Sequence, residues 1–131
     1  MRNFMRTTLL ACVLSLCPVA SGSAGPVEDG TLAFVRGDYA TALRLLRPLA
    51  EQGDAKAQFN LGVMYVRGAG VPRDHVVAHK WLNLAANRYP ASEENWRIKT
   101  TKLRKVIATL MTPAQIAEAQ RLAREWKPKK K

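Results

Sequence analysis

Read at helical spacing, Ala57, Leu61, Met64 and Tyr65 fall on one face of a helix, and Ala78, Trp81, Leu82, Ala85 and Ala86 fall on one face of the next. Between them, Gly68-Ala69-Gly70-Val71-Pro72 ends the first helix with glycines that accept positive φ, and Asp74 stands where an N-cap starts the second. The stretch from Ala57 to Ala86 is thus predicted to be a helical hairpin. Gly62, inside its first helix, costs roughly 1 kcal/mol relative to alanine, which predicts a close approach by the neighbouring backbone. Two helices pressed together at small residues still leave an apolar edge that a lone hairpin cannot bury. The pattern therefore predicts a repeat protein.

A second copy lies upstream. Shifting by 36 residues superposes Asp38 on Asp74, Ala42 on Ala78, Leu45 on Trp81, Leu46 on Leu82 and Ala50 on Ala86. This unit is predicted to hold one helix from about Asp29 to Arg36, stopped by Gly37, and another from about Asp38 to Gln52, with Gly25 to Gly30 as a flexible lead-in. Pro48 lies inside the second helix, where proline removes a backbone hydrogen bond, but the apolar pattern continues through Leu49 and Ala50 and predicts a bend, not an end. Gly53-Asp54 forms the turn into the next unit, with Asp54 as N-cap.

Beyond Ala86 the pattern breaks at Asn87-Arg88-Tyr89-Pro90, and no third copy follows. Ser92 is placed to cap a long amphipathic helix with Glu93 and Glu94 in its first turn and Trp96, Leu103, Val106, Ile107 and Leu110 on one face. Its opposite face carries Arg97, Lys99, Lys102, Arg104 and Lys105. Thr112-Pro113-Ala114-Gln115 is a capping-box start for a last helix with the stripe Ile116, Ala119, Leu122, Ala123 and Trp126. These two helices are expected to cap the open end of the repeats.

Ala57, Leu61, Gly62, Tyr65, Gly68, Gly70, Val71, Asp74, Ala78, Trp81, Ala85 and Ala86 resemble, position by position, the repeat of the Sel-1-like family, a relative of tetratricopeptide repeats. The resemblance implies an all-α, short α/α solenoid of helical hairpins with a C-terminal capping pair. It also implies binding of other proteins or peptides, with no catalytic residue and no cofactor. The units expected on this basis are a first one at about 28–53, a central one at about 54–88 and capping helices at about 92–126, within a domain spanning 25–126.

The N-terminus changes this picture. Residues 1–24 have the layout of a bacterial signal peptide, with Arg2 and Arg6 ahead of an apolar run from Thr7 to Val19 and small residues at Gly22-Ser23-Ala24. A periplasmic or secreted protein is expected. An uncleaved inner-membrane anchor, or lipoprotein processing at Cys12, is the alternative. Cys12 and Cys17 both lie in this leader, so a chain cut near Ala24 holds neither a disulfide nor a cysteine metal site. Exported family members that pair a disulfide within each repeat differ from this sequence.

At 131 residues, 47% apolar and 24% charged, the composition is that of one small globular domain. Its charge is uneven: residues 25–96 hold eight basic and eight acidic residues, whereas residues 97–131 hold eleven basic and two acidic. The tail, 127–131, is expected to be disordered, and Lys127, Lys129, Lys130 and Lys131 together with the basic helix face are candidates for an anionic lipid surface or cell-wall polymer. Against nucleic acid stand the export signal and the lack of aromatics among the lysines.

Catalytic and metal motifs are weak. His75 and His79 share a helix face at the spacing of two zinc ligands, but no glutamate follows His75 as in a metalloprotease, so a solvent-facing pair is expected. Ser92 is the only serine beyond the leader and stands in no nucleophile motif, and the glycines at 68 and 70 follow a helix where a phosphate loop would follow a strand. Trp81, Trp96 and Trp126 each fall on an apolar stripe and are expected in the core. The leading functional expectation is a non-catalytic scaffold that receives a protein or peptide in a groove formed by the helices at Leu32–Arg36 and Phe59–Val66, with Phe59, Val63, Val66 and Arg67 as contact residues. The alternative is an envelope protein that associates with polyanion through its basic C-terminal helices.

Overall fold

The computed structural model describes residues 25–131, so the leader and its two cysteines lie outside the described residues. Six α-helices follow in order: α1 (Pro26–Val35), α2 (Tyr39–Gln52), α3 (Ala55–Arg67), α4 (His75–Arg88), α5 (Glu94–Ala108) and α6 (Pro113–Glu125). A single 3₁₀ turn, Ala91–Glu93, precedes α5, and no strand occurs among the described residues. The all-α solenoid that the resemblance implies is the architecture found: α1–α2 and α3–α4 are packed hairpins, and α2 packs on α3 to stack them.

The turn chemistry works as the residues dictate. Asp38, Asp54 and Asp74 each accept a hydrogen bond from the backbone N–H three residues on, at 3.2, 2.9 and 3.1 Å. Gly68 closes α3 in the left-handed conformation (φ 67°), where any side chain would be strained. Thr112 and Gln115 form both bonds of a capping box at the start of α6. α2 runs unbroken through Pro48.

Three expectations need correction. Gly25 to Gly30 is not a flexible lead-in: α1 begins at Pro26, whose missing N–H suits a first helical position, and Gly30 is buried. Ser92 is not an N-cap, because the Pro90 break is followed by a 3₁₀ turn and α5 starts from Glu93 without a side-chain cap. The apolar face of α5 is also rotated from the predicted stripe. Thr100 and Ile107 are its buried residues, with Leu103 packed beside Ile107, while Val106 and Leu110 face outward. Thr100 is tolerated inside because its hydroxyl donates to the Trp96 carbonyl (2.7 Å).

The core has two parts. One joins the hairpins through Ala42, Leu46, Ala50, Ala57, Leu61, Met64 and Trp81. The other joins α4 to the C-terminal helices through Leu82, Ile107, Met111 and Ala119. α5 and α6 both pack on α4. Trp81 and Trp126 meet edge to face at 6.4 Å, and the Arg88 guanidinium lies 5.2 Å over the Trp126 ring while its Nε donates to the Gly53 carbonyl (2.7 Å). Trp81 is core, as its stripe predicts. Lys129, expected in a disordered tail, is instead tied down: its backbone N–H donates to the Glu51 carbonyl (2.7 Å) and its Nζ meets the Glu51 carboxylate (3.1 Å).

Candidate interaction groove

α1 and α3 lie side by side as the first helices of successive hairpins, and the start of α5 continues the row. In α1, Val27, Glu28, Thr31, Leu32 and Val35 recur at helical spacing along one face. They look across at Lys56, Phe59 and Asn60 of α3 and at Trp96 of α5, and these residues with Tyr89 line a cavity of about 390 Å³. That volume lies at the low end of the roughly 300–1,000 Å³ typical of ligand sites.

One polar pair ties α1 to α3 at the wall, and apolar side chains stand at the opening beside a charged rim. Asn60 Nδ2 donates to Thr31 Oγ1 (2.9 Å), and the Thr31 hydroxyl donates to the Val27 carbonyl (2.7 Å), which sets the distance between α1 and α3. Trp96 meets the Phe59 ring edge to face at 5.5 Å and stacks on Tyr89 at 6.4 Å. Burial pushes the Tyr89 phenol up to about 12, so it stays neutral as the floor of the site. At the rim, Lys56 Nζ lies 3.8 Å from the Glu93 carboxylate. Leu32 and Trp96 are exposed, and Val35 is 74% exposed, although each borders the cavity. Such a surface can hold an aliphatic or aromatic side chain.

Of the four predicted contact residues, Phe59 lines this cavity and Val63, Val66 and Arg67 do not. Phe59 and Val66 also pack against the Leu82 cluster, and the exposed Arg67 guanidinium sits 5.6 Å over the Phe34 ring. Leu32 and Val35, from the predicted first groove helix, also line the cavity. Trp96 was expected in the core and stands half in the groove. Tyr89, Thr31 and Asn60 carried no sequence signal, because their roles come from where the Pro90 break and the α1–α3 contact put them.

The other candidate residues are dispersed. His79 is not solvent-facing as expected: it is buried, its Nδ1 has no hydrogen-bond partner, and burial, aided by the Arg104 charge, lowers its pKa. No group of three or more possible metal ligands occurs among the described residues. Lys127, Lys130 and Lys131 are exposed, while Lys129 is held by Glu51.

A protein-family comparison matches the Sel1 repeat at residues 24–54 and 55–89, just over half of the chain, and the two matched segments contain the α1–α2 and α3–α4 hairpins. Comparison with curated proteins and with solved structures found no match.

Proposed function

The chain belongs to the Sel1 repeat family of protein-interaction repeats, and on that premise we propose that it is a non-catalytic scaffold of the bacterial envelope or periplasm. In this reading a peptide, or an extended segment of a partner protein, lies along α1 and α3 and places an apolar side chain in the cavity beneath Trp96. The observation that carries the reading is the exposure of Leu32, Val35 and Trp96 around a cavity in which Asn60 and Thr31 bond to each other and apolar side chains supply most of the contact surface. The envelope location is supported by the signal-like composition of residues 1–24.

Panning a displayed random-peptide library on the immobilised chain tests the groove. Enriched peptides should carry an aliphatic or aromatic anchor, survive moderate salt, and lose binding to Val35→Asp and Trp96→Ala. Peptides that bind both variants as well as the unmodified chain would place the interaction elsewhere. Intact-mass measurement of the protein recovered from periplasm or medium tests export, and a mass that retains Met1 there would exclude processing near Ala24.

A further inference from the structure

We propose that the outer face of α5 docks on an anionic lipid bilayer, with Ile98, Val106 and Leu110 entering the head-group boundary and Lys99, Lys102 and Lys105 meeting lipid phosphates. Two independent features of α5 meet here. The first is apolar exposure: Ile98, Val106 and Leu110 are 45%, 57% and 62% exposed. Ile98, Lys102 and Val106 follow one another at single turns, and Leu110 stands in the hydrogen-bonded turn that ends the helix. The second is charge. From Asn95 to Ala117 the chain has five basic residues and no acidic one, and Glu94, just before them, is engaged by Arg97 at 3.1 Å.

The charges also frame a recess. Between α5 and the last turn of α4, a pocket of about 330 Å³ is lined by Arg97, Thr101, Lys102, Arg104, Lys105 and Asn87. Arg104 is fixed there by donating to the Asn83 side chain. A phosphate group entering the recess meets several donors and no carboxylate.

Lipid accounts for both features where other occupants account for one. A soluble polyanion would use the lysines and leave Val106 and Leu110 in water. A second copy of this face would bring like charges together. An interfacial helix face has this composition, with apolar side chains at the acyl boundary and lysines in the head-group layer. No described helix is long and apolar enough to cross a membrane, so α5 lies on the surface in this proposal.

Amine footprinting of the full chain tests it, because acetylation rates report each lysine separately. With vesicles containing phosphatidylglycerol, Lys99, Lys102 and Lys105 should be protected, and with pure phosphatidylcholine they should not. Neutralising Lys99 or Lys102 to glutamine should raise the lipid concentration for half-protection of Lys105 by about fivefold per residue. Val106→Ser with Leu110→Ser should raise it by about tenfold with helix content unchanged, since both side chains are already exposed. The leader is common to all these chains, so its own membrane affinity cancels in the comparison. Protection by soluble polyphosphate that equals that by vesicles and ignores the serine variant would overturn the lipid in favour of a polyanion. Protection confined to Lys127, Lys130 and Lys131, equal protection on neutral vesicles, or none would overturn the site.

Discussion

In the first hairpin, a side-chain carbon built on Gly30 would stand 2.6 Å from Leu46 Cγ, and in the second, one built on Gly62 would stand 3.0 Å from Leu82. Leu46 and Leu82 are equivalent under the 36-residue shift, yet the two glycines are only 32 apart. The difference is the loop. The first hairpin turns through Arg36–Asp38, whereas the second uses Gly68–Asp74 and packs Gly70 against Tyr39 and Leu43 of the first. The glycine–leucine contact is thus kept while the connection changes length, which shows that helix-to-helix packing, not the loop, defines the repeat unit.

The strongest way to break this comparison is to fill both contacts. Gly30→Leu should destabilise by about 3 kcal/mol, and Gly62→Leu by about 1–2 kcal/mol, even though leucine is the better helix former. Urea titration of both variants checks this. Equal losses, or none, would mean that the two contacts do not differ in tightness. The Asp38 and Asp74 caps offer a smaller difference. Asp74→Ala should cost about 1 kcal/mol and lower Tm by roughly 4–8 °C. Asp38 is fully exposed, and hydrogen bonds from Thr41 hold its carboxyl below the usual carboxylate range. Its contribution is present at neutral pH and lost as pH falls through that lowered pKa, and the loss should be absent from Asp38→Asn.

A further contrast is at the position occupied by Leu43 in the first hairpin and His79 in the second. The buried His79 has a lowered pKa, so below about pH 6.5 the unfolded chain binds a proton that the folded chain resists. Melting temperature should therefore decline as pH drops from 7 to 5, and His79→Leu should flatten that profile. A profile unchanged by the substitution would mean that the imidazole is not buried in solution. The smallest effect is expected from the tail. Deleting Pro128 to Lys131 removes the exposed Lys129–Glu51 ion pair together with the backbone hydrogen bond beside it and should change stability by about 0.5 kcal/mol. A larger loss would show that the tail clamps α6 to the first hairpin.

Much of the fold was legible in the residues because helices announce themselves locally. Asp54, Asp74 and the Thr112–Gln115 box act within a few residues of their own position, so their hydrogen bonds can be read without knowing what lies across the core. Gly30 escaped for the opposite reason. Its partner Leu46 lies on another helix, and a repeat aligned in the register of the second helices does not bring Gly30 onto Gly62. Ser92 escaped because the Pro90 break could lead into a cap or a 3₁₀ turn, and local pattern favours the cap.

Sequence alone determined the helical hairpins, their caps and the family to which they belong, since these rest on spacing and on short-range hydrogen bonds. Tertiary structure decided the facing of α5. With Trp96, Leu103, Val106, Ile107 and Leu110 all apolar, several rotations about the helix axis bury similar area, and contact with Leu82 on α4 selected Ile107 and left Val106 and Leu110 outside. The same packing set the groove. Val35, Phe59 and Trp96 are far apart in sequence, and they come to line one cavity because α1, α3 and the start of α5 stand in a row.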